Sequence, residues 1–410
     1  MMVELPAYRT VDDGPALSRR LLALTEAGRP VACPVHVGLG DPVALSSNDA
    51  HITHTVARHL AEGTAHALPP FNSVPHPALR VLNAASWDRV DAMTADFAGL
   101  PADLASDLWT RVDEVCRRGA TLSSAERGVA AELLLRLGYP LGAAEILGLL
   151  DADVTTHTFR PDMVRAELQA FMRLYPQARS VLEDRALRAA ADPGMAPAAR
   201  LRLANYIVVL DGKRGHATPA FHRAVELARR AMEETPGTGM ARHLAEHTLY
   251  RAIAFEPYLR GDEEGTMELL GRAAEALEAA RPGTDALDSL SWNDHAFPMF
   301  ETLSKTLLGY GEVRQALDST ARLVAINPND HRAWAVRGRA LACSGDLEAA
   351  VRAWERILPL GGLPVAAAGF FLGWAHGELG DTALAREFYE LSYSVDPTPE
   401  AIAGKVPLSV

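Results

Sequence analysis

From residue 327 to 357 the chain reads NPNDHRAWAVRGRALACSGDLEAAVRAWERI. Its apolar positions recur at helical spacing, stop at a Gly-Asp pair, and resume at the same spacing, so the pattern predicts helix, turn, helix. The unit repeats. Gly311-Glu312, Gly345-Asp346 and Gly380-Asp381 stand 34 and 35 residues apart, a period that predicts stacked copies of one supersecondary unit. Five residues after each glycine comes an alanine (Ala316, Ala350, Ala385), and four further on comes Thr320, Trp354 or Tyr389. These spacings share one helical face.

Eleven residues before each glycine stand Phe300, Trp334 and Gly369, followed at plus three and plus four by Leu303-Ser304, Arg337-Gly338 and Leu372-Gly373. The small residues of those pairs let two helices approach closely. Pro328 and Pro397 end the first and third units, and Gly362 with Pro364 ends the middle one, because proline lacks an N–H and has a fixed φ. Each turn glycine supplies the reversal, and the acid after it caps the next helix.

Upstream the ruler blurs while the helical spacing persists. SSAERGVAAELLLRLGYPLGAAEILGLL opens with Ser123 and Glu126 in capping-box spacing and turns at Gly138-Tyr139-Pro140. Second helices are predicted to end at Pro236 and Pro282. Their partners, RLRLANYIVVLDGKRG and RHLAEHTLYRAIAFEPYLRGD, are each followed by a connection longer than the standard turn.

Over about residues 297 to 397 this pattern resembles the tetratricopeptide repeat, a helix-turn-helix unit with large and small residues at fixed places. Three positions depart from it: Arg337 where leucine is usual, Thr320 where an aromatic is usual, and Gly369 in place of the first large residue. A lone helix pair cannot bury its apolar faces, so neighbours must stack. The expected fold is mainly α, a right-handed α-α superhelix from about residue 85 to 399 with a small α/β cap before it. The domains are then 1–84 (cap), 85–296 (degenerate repeats), 297–399 (three recognisable units) and 400–410 (tail).

The resemblance further implies that first helices line a groove holding a peptide or a partner's helix. On that reading the inward-facing candidates are Asn205, His243, His247, Asn293, Arg337 and His376, and the chain is an adaptor, scaffold or regulator of a bacterial-style pathway with a protein or peptide client. Self-association through terminal helices is a further expectation, since exposed end helices pair between copies.

Composition narrows the classes. With 48% hydrophobic and 22% charged residues the chain is ordered rather than disordered, and a net charge of −12 argues against a nucleic-acid partner. One segment runs the other way: between Arg160 and Arg230 there are 13 Arg or Lys against 7 Asp or Glu. An acidic client or a solvated face accounts for it. Cys33, Cys116 and Cys343 lack metal-ligand spacing and read as reduced thiols. MMVELPAYRTVDDG has no secretory pattern, and no run reaches the roughly 18 apolar residues of a membrane span. The expectation is a cytoplasmic protein without membrane attachment.

Residues 1 to 80 repeat nothing. VACPVHVGL at 31–39 reads as a short strand, NDAHITHTVARHLAEG as a helix, and HALPPF at 66–71 as a second strand. Six of the 14 histidines lie between His36 and His76. Asp49, His51 and His54 fall within one or two helical turns, a spacing that suits a divalent metal and equally a solvated or capping face.

The stretch from Leu22 to Pro77 is similar to the opening of creatininase-type amidohydrolases, in PVHVGLG, Asp49, the helix after it, and ALPPFNSVPH. That family's Glu-Gln-His-Gly metal motif is replaced here by GDPVAL, so only Asp49 carries over as a ligand. The resemblance implies a truncated remnant. The alternative function, a metal-dependent, hydrolase-like enzyme or subunit whose array selects a peptide, rests on Asp49, His51 and His54 holding the metal. On the adaptor reading no cofactor is needed. Two other stretches stand out: SWNDHAFPMFE at 291–301, with Trp292, Asp294, His295 and Phe297 before a repeat helix, reads as packing or a groove contact, and LDGKRGH at 210–216 as a turn.

Overall fold

The computed structural model describes residues 48–69, 71, 107–137, 140–175, 178–328, 330–358 and 364–395. Among these residues all regular structure is helical, with no strand. They fall into two compact units, a first that runs from Ile52 to Met299 and a second from Phe300 onward that also takes in Asn48–His51.

The first unit begins with α1 (Asn48–Ala61) from Ile52 onward, a short 3-10 turn at Ala65–Ala67, and α2 (Asp107–Arg117). Helical hairpins follow. The first is α3 (Ser124–Leu137) with α4 (Pro140–Leu147), the second α5 (Val164–Leu174) with α6 (Arg179–Ala191), and the third α7 (Pro197–Gly212) with α8 (Pro219–Glu234). In the fourth, α9 (Met240–Ile253) pairs with α11 (Glu263–Ala279) across the short α10 (Phe255–Leu259). First helices pack on first helices (α3 on α5, α5 on α7, α7 on α9), and second helices α6 and α8 pack together. That layering is how stacked hairpins make one continuous core.

The boundaries follow from the letters. Ser123 and Glu126 form the expected reciprocal box: the Ser123 N–H donates to Glu126 Oε2 at 3.0 Å, and the Glu126 N–H to Ser123 Oγ at 3.3 Å. The Ser123 hydroxyl, donating to Glu126 Oε2 at 2.6 Å, and then the Ser123 N–H hold the Glu126 carboxyl below its ordinary pKa. Pro197 and Pro219 stand in the first turns of α7 and α8, and Thr218 Oγ1 accepts the Phe221 N–H at 3.0 Å. LDGKRGH is a turn, with Gly215 at φ +73°.

In the second unit the C-terminal part of α12 (Ala286–Gly309) precedes α13 (Val313–Ile326); α14 (His331–Cys343) pairs with α15 (Leu347–Glu355), and α16 (Pro364–Glu378) with α17 (Thr382–Val395). At each turn the glycine is left-handed (φ +82° at Gly311, +88° at Gly345, +86° at Gly380), where residues with a Cβ are strained. The acid's N–H closes the preceding helix: Asp346 donates to Leu341 O at 3.1 Å and Asp381 to His376 O at 2.9 Å. At the second and third turns the carboxylate then opens the next helix, Asp346 Oδ1 accepting from the Ala349 N–H at 2.9 Å and Asp381 Oδ1 from Leu384 at 3.0 Å, whereas Glu312 makes no side-chain cap bond.

The small residues do what their spacing implied. Trp354 is fully buried against Gly338, and Tyr389 packs on Gly373. The departures from the pattern also explain one another. With threonine rather than a ring at 320 there is room for Arg337, whose guanidinium donates to Thr320 Oγ1 at 3.3 Å and Leu317 O at 3.4 Å. At Gly369 a Cβ would stand 2.9 Å from the Phe388 carbonyl oxygen, so α17 occupies the space a large residue would need.

Two expectations are corrected. The strand expected over 66–71 is a 3-10 turn at Ala65–Ala67 followed by an irregular stretch. Pro69 has no N–H to give a ladder, and the segment packs on α3 rather than on a strand. The other expected strand, 31–39, lies outside the described residues. SWNDHAFPMFE does not precede a helix but lies inside α12, with Pro298 in its interior. Burial of Ala296, Phe297 and Met299 outweighs the backbone bond that proline forgoes. The stretch does pack: Trp292 Nε1 donates to Leu277 O at 2.9 Å, under the Arg281 guanidinium.

Candidate functional site

First helices of the hairpins converge on a cavity of about 530 Å³ in the first unit, within the roughly 300–1,000 Å³ typical of ligand sites. Helix α3 contributes Val129, Glu132 and Leu133, α5 Val164 and Arg165, α7 Leu201, Arg202 and Asn205, α9 Leu244, Ala245 and Thr248, and α12 His295. Three- and four-residue spacing within α3, α7 and α9 aims each set from one helical face. Val56, Ala65, Leu68, Pro69 and Phe71 form one wall, and Pro236 to Thr238 part of the rim.

The walls are mostly apolar, and the polar groups are concentrated around α5 and α7. Glu132 grips Arg165 with both oxygens, Arg165 Nε donating to Glu132 Oε1 at 2.7 Å and Nη2 to Oε2. Arg165 Nη1 reaches the Phe71 carbonyl at 2.6 Å. Burial works against the Arg165 charge, but the Glu132 carboxylate overrides it and raises the pKa. Arg242 is engaged by Glu246 at 2.8 Å, by Thr235 O at 2.5 Å and by Met232 O at 3.0 Å.

Arg202 differs. Among the described residues it has no hydrogen-bond or ion-pair partner, and partial desolvation, then the like charge of Arg165, lower its pKa. One helical turn along, Asn205 is 6% exposed, and its Oδ1 is buried without a hydrogen-bond partner among the described residues. An unsatisfied buried amide costs about 1–3 kcal/mol. Nearby, His295 and His247 are buried with rings 6.2 Å apart. His295 Nδ1 bonds Ser291 O at 3.0 Å, and His247 Nδ1 bonds Ala273 O at 2.9 Å. Burial first, then the Arg251 charge, bring His247 down to about 3; burial, Arg251 and Arg165 bring His295 down to about 4. Both are neutral imidazoles at pH 7.

The structure places the other sequence candidates apart from this cavity. His243 sits beside Glu246, Nδ1 to Oε2 3.4 Å, and Asn293 is half-buried on α12. Arg337 bonds within its own stack, as above, and His376 lies flat on Phe388 at 5.3 Å between centroids. Asp49, His51 and His54 fall in α1, but their side chains lie outside the described residues. Among the described residues no cluster of three metal-ligating side chains occurs, and no helix is long and apolar enough to cross a membrane.

Arg165, Arg202 and Glu132 were not singled out by the sequence, whereas His295 stood in SWNDHAFPMFE, a stretch open to a groove contact or to packing. The signal available was the basic excess between Arg160 and Arg230. Most of it is structural: Arg160 pairs with Glu167, Arg179 with Glu183 and Asp211, Arg188 with Asp184, Arg200 with Glu234, and Arg229 with Glu256. Arg185 bonds the carbonyls of Thr155 and His157. Arg202 is left facing the cavity.

No family model matches the chain, and no curated protein does. Among solved structures it is similar to MamA from AMB-1 (TM-score 0.32, 14% identity, 48% of this chain and 98% of that one). It is also similar to a putative kinesin light chain from Podosopora anserina with nearly identical TPR-like repeats (0.37, 18%, 48% and 95%). A monomeric mutant of IFIT1 with m7Gppp-AAAA is similar over 95% of this chain and 75% of its own (0.41, 14%). The chain's own geometry is that of tetratricopeptide-like helical hairpins, first helix on first helix.

Proposed function

We propose that this chain is a protein-interaction module that holds a segment of a partner protein in the first-helix cavity of its first unit. An acidic side chain of that segment sits against Arg202, its backbone meets the Asn205 carboxamide, and its apolar side chains lie on Val129, Val164, Leu201 and Leu244. The observation that carries the reading is the convergence of α3, α5, α7, α9 and α12 on one cavity where Arg202 and Asn205 Oδ1 have no partner among the described residues. A backbone N–H satisfies the amide oxygen and a carboxylate satisfies the guanidinium. Preformed helices bring these groups together with little reordering, which favours binding.

A photo-crosslinking residue tests this directly. Placed at Ala245 on the cavity wall, it captures the partner from extracts of the native cell; placed at the exposed Glu226 on α8, it does not. Equal capture from both positions, or capture from 226 alone, contradicts the reading.

A further inference from the structure

We infer that the chain's own Ala65–Pro69 and Phe71, which form one wall of the cavity, lie against α3 and α5 as a bound peptide would, and that an external segment of the same kind binds by displacing them. This goes beyond the proposed partner binding, because it concerns an occupant supplied in cis.

The chain leaves α1 through a tight left-handed cap. Gly63 has φ +70°, the Thr64 N–H donates to His59 O at 2.8 Å, and the Gly63 N–H to Leu60 O at 3.3 Å. His59 Nδ1 and Thr64 Oγ1, 2.9 Å apart, brace the reversal. After the turn at Ala65–Ala67, which packs on α3, Leu68 is extended (φ −69°, ψ 132°). Leu68, Pro69 and Phe71 then contribute to the cavity wall, and Phe71 is only 8% exposed.

The anchor is a main-chain one. Arg165, on a first helix, donates to the Phe71 carbonyl at 2.6 Å, a contact between residues 94 apart in sequence. A short stretch, extended at Leu68, carrying Pro69 and fixed by one backbone oxygen and by Leu and Phe side chains on a helical face, is how a separate peptide would be held. Tethering gives such a segment an effective concentration on the order of mM, so a competing peptide of the same kind meets an occupied site.

The test uses the full chain and a fluorescently labelled synthetic peptide of residues 62–74, EGTAHALPPFNSV, followed by anisotropy. Against the wild-type chain the peptide binds weakly or not at all. Against the full chain carrying Leu68→Ala and Phe71→Ala it binds at least tenfold more tightly, and the same peptide carrying both substitutions does not bind. The single Phe71→Ala chain gives the same order with smaller contrast, which covers loss of folding in the double variant. Circular dichroism and backbone hydrogen exchange in α3 and α5 report whether the helices persist. Equal binding to wild-type and variant chains, or no binding to folded variants, overturns the inference. Failure to find an external partner leaves these outcomes unchanged, so the two ideas fail separately.

Discussion

Gly338→Ala should destabilise the second unit, although alanine is the better helix former. A Cβ at 338 would lie 2.3 Å from Trp354 Nε1, 2.5 Å from Cε2 and 2.6 Å from Cδ1. The indole cannot withdraw: it is fully buried, stacks on Phe371 at 5.2 Å and meets Trp374 edge-on at 6.4 Å. Overpacking costs about 1–3 kcal/mol, and contact with three indole atoms puts this site near the upper end. Helix propensity returns about 1 kcal/mol, leaving a net loss of about 2 kcal/mol. Gly377→Ala is the control, since its added methyl meets only Ala385 Cβ, at 3.9 Å; it should stabilise by about 0.5–1 kcal/mol. Urea unfolding read by circular dichroism and tryptophan fluorescence compares the two. In a Trp354→Leu background the clash is gone, and Gly338→Ala should become stabilising by a similar 0.5–1 kcal/mol. The reasoning is refuted if Gly338→Ala and Gly377→Ala act alike in the native background.

Three further outcomes follow from the same structure. His247 and His295 have folded pKa values depressed to about 3 and about 4 from 6.5. A depressed pKa means that the stabilisation is fully present above the unfolded value and is lost as pH falls through the folded one. The first unit should therefore weaken progressively from about pH 6.5 towards 4 and below; paired His247→Gln and His295→Gln substitutions should flatten that slope in pH-dependent thermal unfolding, while His243→Gln leaves it. Asp262→Ala, Asp346→Ala and Asp381→Ala should each cost about 1 kcal/mol in urea midpoints by removing a helix cap. Glu312→Ala should cost clearly less, because Glu312 makes no side-chain cap bond.

How much of this was legible depended on whether a constraint is local. Gly345 and Asp346 declare themselves, because a left-handed turn selects glycine and a helix start selects an acid within two residues. Gly261-Asp262 makes the same turn, with Gly261 at φ +72° and Asp262 Oδ1 accepting the Gly265 N–H at 2.8 Å. The 17-residue α11 and 24-residue α12 between it and Gly311 move it off the 34-residue ruler, so counting alone misses it. SWNDHAFP misleads because proline is a local stop signal, whereas the burial that keeps α12 intact is tertiary.

The cavity is harder still to read. Asn205 was visible as a polar residue on a first helix, but Arg165, Arg202 and His295 come from three helices that only stacking brings together. His247 shares a helix with cavity residues and was open to a binding role on sequence grounds. In the structure its Nδ1 meets the Ala273 carbonyl. Arg337 and Thr320 each break the repeat pattern, and their contact across two helices explains both.

The most direct test of the central claim is a comparison of peptide affinities. Peptides selected from a random displayed library on the full chain should combine an Asp or Glu with apolar neighbours. Titration calorimetry should then show their affinity falling tenfold or more in Arg202→Glu and in Asn205→Leu, a loss of at least about 1.4 kcal/mol. Selected peptides without acidic residues, or undiminished affinity in both folded variants, would contradict the account.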